Sequence, residues 1–474
     1  MEGPPLTLNP RSTLDAYGQR INALVFGALT AIDSNLTPQP ELAESWKSEN
    51  SGKTWTFKIR PGLKDHSGVP ITSALIAQCM EEYRIGKPAS LVKAGFPGWM
   101  KTTAVGREVR IELNQPDPYL PRNMSLIRYF RVNSKGSWGI CTEPLPGDRI
   151  IGSGRMKADP FPLNPEDQIK LLPLDPEGNP ITFEFVRDET TRLLRFLRGE
   201  SDAVQNAFSL SKTSWIRKNH ADRFRVIERD GVNVSYLAFN LKDPVLSKLP
   251  VRQAIAHAID RKTIIETRLN GFGTLAGSFL SPLLPESAQS PFDYDPALSE
   301  KLLEEAGYKR DSHGIRLKLK YKTTPVRDGF ETAIIFKEML SKVGVELTLE
   351  VIEPAVFLNL IKKGAFQLYS SRWIGVADAS ILSRTLRSNQ PNNRAHYVSK
   401  EMDALLDQAA QEVDLAKRNP ILKKAQEKMM QDLPYFPLWF WTNAVILGNR
   451  VTGLEAQDIS LSGGLVPLTH LRVK

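Results

Sequence analysis

Residues 316–373 read RLKLKYKTTPVRDGFETAIIFKEMLSKVGVELTLEVIEPAVFLNLIKKGAFQLYSSRW. Leu317, Leu319 and Tyr321 alternate with lysines, the period of a strand with one buried face. A helical stretch beginning near Glu331 stops at Gly344, and VELTLEVIE follows as a second strand. EPAVFLNLIKK repeats the helix, Gly364 stops it, and AFQLYSSRW makes a third strand. Strand, helix, strand, helix, strand in this order predicts a parallel or mixed sheet covered by helices, an α/β fold.

The same alternation extends outward. TFEFVRDETTRLLRFLRGESDAV (182–204) reads as strand, helix, glycine stop and strand, a βαβ unit. VNVSYLAFN (232–240) reads as a strand. Val251, Ala254, Ile255, Ala258 and Ile259 then recur at amphipathic-helix spacing, and Asp260 opens a second helix. GFGTLAG (271–277) has glycines but neither a preceding strand nor a following acid, so it reads as a loop or hinge and not a dinucleotide site. Two helices, 402–414 and 416–433, precede the closing strand PYFPLWFW. Nearer the N-terminus, QRINALVFGALTAI (19–32) is an apolar, uncapped helix. Residues 40–59 form an aromatic hairpin turning through SENSGK, with Gly52 at the tight position. ITSALIAQCMEEY (71–83) is a helix capped by Thr72 or Ser73. Residues 115–180 are rich in proline and glycine and show little periodicity.

A chain of 474 residues calls for two or three domains. Lysine plus arginine total 62 against 53 acids, and the +9 balance is scattered along the chain. Without a basic stripe or a nucleic-acid motif, no nucleic-acid partner is expected. No apolar run approaches the roughly 18 residues of a membrane span. The opening MEGPPLTLNP has neither the basic nor the apolar region of a signal peptide. Cys79 and Cys141 are the two cysteines. They exclude a disulfide scaffold and leave open one disulfide or two buried thiols. The six histidines form no zinc-binding spacing, and no nucleophile elbow or phosphate-binding loop occurs. Neither catalytic residues nor a metal site nor a cofactor is therefore expected.

Several stretches in order resemble the family 5 extracellular solute-binding proteins. They are PELAESW, TFKIRPGLK and DHSGVPITSALI near the start, then IIGSGRMKA and the 182–204 segment. YLAFN with VRQAIAHAIDRKTIIETRLNGFGTLA is the nearest, followed by YDPALSEKLLEEAGY, EMLSKVGVELTLEVIE, the Arg372-Trp373 segment and QEKMMQDLPYFPLWF. The resemblance implies a two-lobed periplasmic-binding-protein fold (type II, cluster C) with an extra small subdomain on the first lobe and a hinge between lobes. The first lobe would hold residues 1–275, with the subdomain at about 40–150, and take back 436–474. The second would hold 276–435. It implies the substrate-binding component of an ABC importer, not an enzyme, that captures a peptide or other small solute between the lobes. Its partners would be that ligand and the permease subunits, and it would work as a monomer. The location implied is periplasmic or extracellular, free or lipid-anchored, with Met1 standing on a trimmed mature chain. A ligand-sensing effector domain of a transcription regulator shares this fold and is the alternative.

The resemblance also points to ligand-binding positions. Members that bind peptides hold the ligand amine with an aspartate three residues after a Gly-Trp pair. Here Arg372 stands for the glycine, Trp373 matches the tryptophan and Val376 replaces the aspartate. Asp378 matches a later aspartate of the pattern. Arg372 could clamp a carboxylate or phosphate, or simply make a salt bridge. Tyr236 matches a cleft position, and Tyr17 and Arg20 fall where the family's first loop faces the cleft. Trp373 and Tyr236 would equally serve as core residues. His66 sits in a turn general to the family.

Overall fold

In the computed structural model, residues 1–96, 98–288 and 292–473 are described. The chain divides into two compact units. One comprises 1–229, 410–413 and 443–474, and the other 230–409 and 414–442. The expected lobe boundary at 275 thus lies inside the second unit.

In the first unit the aromatic hairpin becomes the strands Ala43–Glu49 and Thr54–Ile59, joined through Asn50, Ser51 and Gly52, all with positive φ. Glu108–Leu113 and Trp99–Val105 complete an antiparallel four-stranded sheet. Phe57, Val109 and Ile111 are completely buried in its core, and Trp55 nearly so. Full burial of such side chains is worth roughly 1.5–3 kcal/mol each. The helix Ser73–Ile85 is capped by Thr72, whose hydroxyl accepts from the Leu75 N–H, and it buries Ile76, Cys79, Met80 and Tyr83. Cys79 is disulfide-bonded to Cys141. The helix Ala16–Val25 is capped after all, by the Asp15 carboxylate.

The aperiodic region 115–180 holds strands of two to six residues in two three-stranded sheets. Pieces this short show almost no alternation. The expected βαβ unit at 182–204 is corrected. Strand Ile181–Glu184, helix Glu189–Leu197 and strand Ala203–Gln205 occur in that order. However, the first strand pairs with Gln168–Pro173 and the last antiparallel with residues 445–447, so they lie in different sheets.

In the second unit, Leu317–Thr323 runs parallel to both Val345–Val351 and Leu368–Trp373, as the opening stretch predicts. Helices Arg327–Lys342 and Pro354–Lys362 make the crossovers. Leu368–Trp373 then pairs antiparallel with the 234–239 end of the long strand Phe224–Phe239. Residues 273–275, expected as loop, form a short strand against Tyr435–Gly448. The strands Phe224–Phe239 and Tyr435–Gly448 each begin in one unit and end in the other.

Candidate functional site

The register of the second unit's central strands sorts the expected binding residues. Val234 lies opposite Trp373, Ser235 opposite Arg372 and Tyr236 opposite Ser371. Successive side chains of a strand point to opposite faces. Tyr236 and Trp373 therefore share one face, and Arg372 belongs to the other, although it is next to Trp373 in sequence.

On the first face the rings of Tyr236 and Trp373 stack, with centroids 5.4 Å apart and planes inclined by 15°. Phe279, Tyr369 and Tyr435 pack around Tyr236 at 5.6, 6.1 and 5.5 Å. The Arg394 guanidinium lies over Trp373, 5.4 Å from the ring centroid, within cation–π range. The loop carrying Arg394 is held from both sides. The Tyr435 hydroxyl accepts from the Ala395 N–H and donates to the Asn392 carbonyl. The Asn393 side chain bonds both backbone groups of Tyr397.

This cluster is unusual in its hydrogen bonding. Tyr236 and Tyr369 are fully buried, and buried hydroxyls normally have partners. Neither hydroxyl makes a hydrogen bond, nor do Trp373 Nε1 and Arg394 Nε. The two hydroxyls and Arg394 nonetheless lie close enough for longer, weaker polar contacts with one another, beyond ordinary hydrogen-bond geometry. Burial, above all, pushes both phenols upward, so both keep their protons at neutral pH.

Arg372 is engaged elsewhere. Its guanidinium sits 3.6 Å from the centroid of Trp441, whose Nε1 donates to Ser235 Oγ at 2.8 Å. It also lies 3.8 Å from Asp328, an acid shared with Arg268. Burial draws the Arg372 pKa down to about 10, which leaves it charged. Val376 is buried. Asp378 is also buried, and its carboxylate accepts from the Ser380 N–H at the start of helix Ser380–Leu386.

In the first unit, Tyr17 and Arg20 sit one turn apart on the helix Ala16–Val25. The Tyr17 hydroxyl donates to Glu2 at 3.1 Å, and burial together with that carboxylate pushes its pKa up to about 12. Arg20 donates to the Ser462 carbonyl at 2.9 Å. The structure thus brings Tyr17 and Arg20 together, and Tyr236 and Trp373 together. Arg394 was missed from sequence. Its signal would have been an arginine in an asparagine-rich loop, PNNRAHY, and nothing local links that loop to Trp373.

His66 Nε2 donates to the Gly154 carbonyl at 2.9 Å, within a turn anchored by Asp65. Among the described residues no three His, Cys, Asp or Glu side chains converge as a metal site. No described helix is long and apolar enough to cross a membrane.

The chain has relatives that match nearly its whole length. It is 25% identical to the probable deoxycholate-binding periplasmic protein YgiS of Escherichia coli, over 96% of this chain and 89% of that protein. It is 24% identical to the oligopeptide-binding protein OppA of Bacillus subtilis, over 98% and 89%. Among solved structures, NikA from Brucella suis in complex with Fe(III)-EDTA superposes with a TM-score of 0.84 at 22% identity, covering 100% of this chain and 99% of that one. HbpA2 from Haemophilus parasuis gives 0.82 at 22%, covering 99% and 98%. These likenesses fix the α/β fold as that of the periplasmic binding proteins. Residues 37–394 match the description of bacterial extracellular solute-binding proteins, family 5, and the chain belongs to that family.

Proposed function

We propose that this solute-binding protein serves an ABC importer and that its ligand contacts the Tyr236–Trp373 stack. The supporting observation is the stack itself. A planar aromatic pair with a cation over it, and with Trp373 only partly buried, is a surface for an organic solute. The surrounding groups are protonated tyrosines, an arginine and an indole, which hold a ligand and do not transform it. Binding without turnover, as a monomer that passes its ligand to permease subunits outside the cytoplasmic membrane, is the corresponding activity. The two compact units would serve as the lobes, and Tyr17 and Arg20 would be the first unit's ligand contacts. Arg372 and Asp378 would act from behind, as supports. Relatives are named for deoxycholate and for oligopeptides, so membership alone does not choose the ligand. The regulatory effector alternative has no observation in its favour.

Tryptophan fluorescence titrated with pooled metabolites tests this. Trp373→Ala is expected to weaken binding by about tenfold or more, the usual scale for a central tryptophan, while the circular dichroism spectrum stays unchanged. Undiminished binding by the folded variant would move the site elsewhere.

A further inference from the structure

We infer that the solute taken by this site carries a carboxylate and that Arg394 is its anchor. The inference rests on the stack being the ligand surface and adds the ligand's chemical class.

The unpaired polar atoms around the stack are all able to donate. Trp373 Nε1 and Arg394 Nε can only donate, and the Tyr236 and Tyr369 hydroxyls carry protons to give. The two tyrosines are completely buried, whereas Trp373 and Arg394 are only partly buried and are the members of the cluster that a solute reaches directly. No acid of the described residues pairs with Arg394, in contrast to Arg372 with Asp328 and Arg387 with Asp407. The polar groups nearest Arg394 are the phenols of Tyr369, Tyr236 and Tyr435, which burial keeps protonated and neutral, so none of them balances its charge. Neighbouring acids are already committed. Asp432 takes the Tyr397 hydroxyl and Lys428, and Asp378 accepts from the Ser380 N–H.

A cluster of donors around one uncompensated cation fits an acceptor-rich anion. A carboxylate offers two oxygens with about four lone-pair sites, and its bonds to a guanidinium are charge-assisted and can be bidentate. A ligand ammonium would meet Arg394 with no carboxylate to hold it, and Val376 is buried and apolar where an amine anchor would stand. A neutral amide supplies one acceptor and leaves the charge unmatched. Sites built to satisfy specific polar groups discriminate strongly against analogues that lack them.

The test uses pools of small organic acids, their primary amides and the corresponding amines. Binding is read by tryptophan fluorescence and thermal shift on the wild type, Arg394→Gln, Arg394→Lys and Trp373→Ala. Acids are expected to bind at least about tenfold more tightly than their amides, a gap of one decade in Kd. Arg394→Gln should erase that preference, and Arg394→Lys, which keeps charge but loses the fork, should retain part of it. Amides or amines that bind as well as acids would overturn the inference, and so would acid binding undiminished in Arg394→Gln. If Trp373→Ala loses binding while Arg394→Gln keeps it, the ligand surface stands and the anion assignment falls. If neither substitution matters, the ligand surface itself is misplaced.

Discussion

Asp65→Ala is expected to destabilise the protein by about 3–5 kcal/mol, the range for breaking a buried ion pair by removing one partner. The Asp65 side chain is wholly buried, and Arg131, its partner at 2.5 Å, is nearly so. The carboxylate also accepts from the Ser67 and Val69 N–H groups and from the Ser67 hydroxyl. Alanine would release all of these at once and leave Arg131 with Ser67 Oγ and the face of Trp138. The sheet carrying Arg131 would lose its tie to the turn. Urea unfolding at pH 7 measures the loss, and a change below about 1 kcal/mol, as for an exposed pair, would refute the argument. A pH signature accompanies it. Burial raises the Asp65 pKa, but the hydrogen bonds from Ser67, Arg131 and Val69 outweigh it and hold the carboxyl below 3.8. A carboxyl depressed by folding contributes stability that is full above its unfolded pKa and is lost as pH falls through its folded one. Wild-type stability should therefore decline below pH 4, and Asp65→Ala should flatten that limb.

Removal of the disulfide should have a comparable effect. Cys79 and Cys141 close a segment with a sequence separation of 62. By chain entropy, opening it releases an unfolded ensemble worth about 4 kcal/mol. Cys79→Ala/Cys141→Ala avoids placing hydroxyls among buried apolar neighbours, so its loss reports the crosslink. The expected result is a lower urea midpoint in the double variant than in the oxidised wild type, with reductant bringing the wild type down to match. Equal midpoints throughout would mean that the bond contributes nothing. A structural bond of this kind suits a protein that works in an oxidising compartment.

Long periodic segments were legible in the sequence. The three parallel strands of 317–373 and the helices between them follow from alternation and glycine stops, and the sequence narrows the cap of the 73–85 helix to Thr72 or Ser73, of which Thr72 serves. Strands too short to show a period were not, as 115–180 illustrates. Pairing was also hidden. Residues 182–204 have the order of a βαβ unit, but partners more than 200 residues away take the last strand into another sheet. For the candidate site, Tyr236 and Trp373 were legible through resemblance, and their stacking is a product of register. The separation of Arg372 from Trp373 follows from strand geometry alone once that segment is read as a strand. Arg394 lies on a loop, where no period links it to the residues it meets in space.

The first unit is discontinuous in sequence, because its 1–229 segment is completed by 410–413 and 443–474. The short strand Ala203–Gln205 has its partner at 445–447, Asn206 bonds Asn443, and Arg20 reaches Ser462. A chain emerging from its N-terminus makes most of this unit first and then waits for more than 200 further residues before these partners arrive. The second unit can assemble earlier, since all of it precedes residue 443. Late completion leaves this unit without its closing strand partners until residues 443 and beyond have been made.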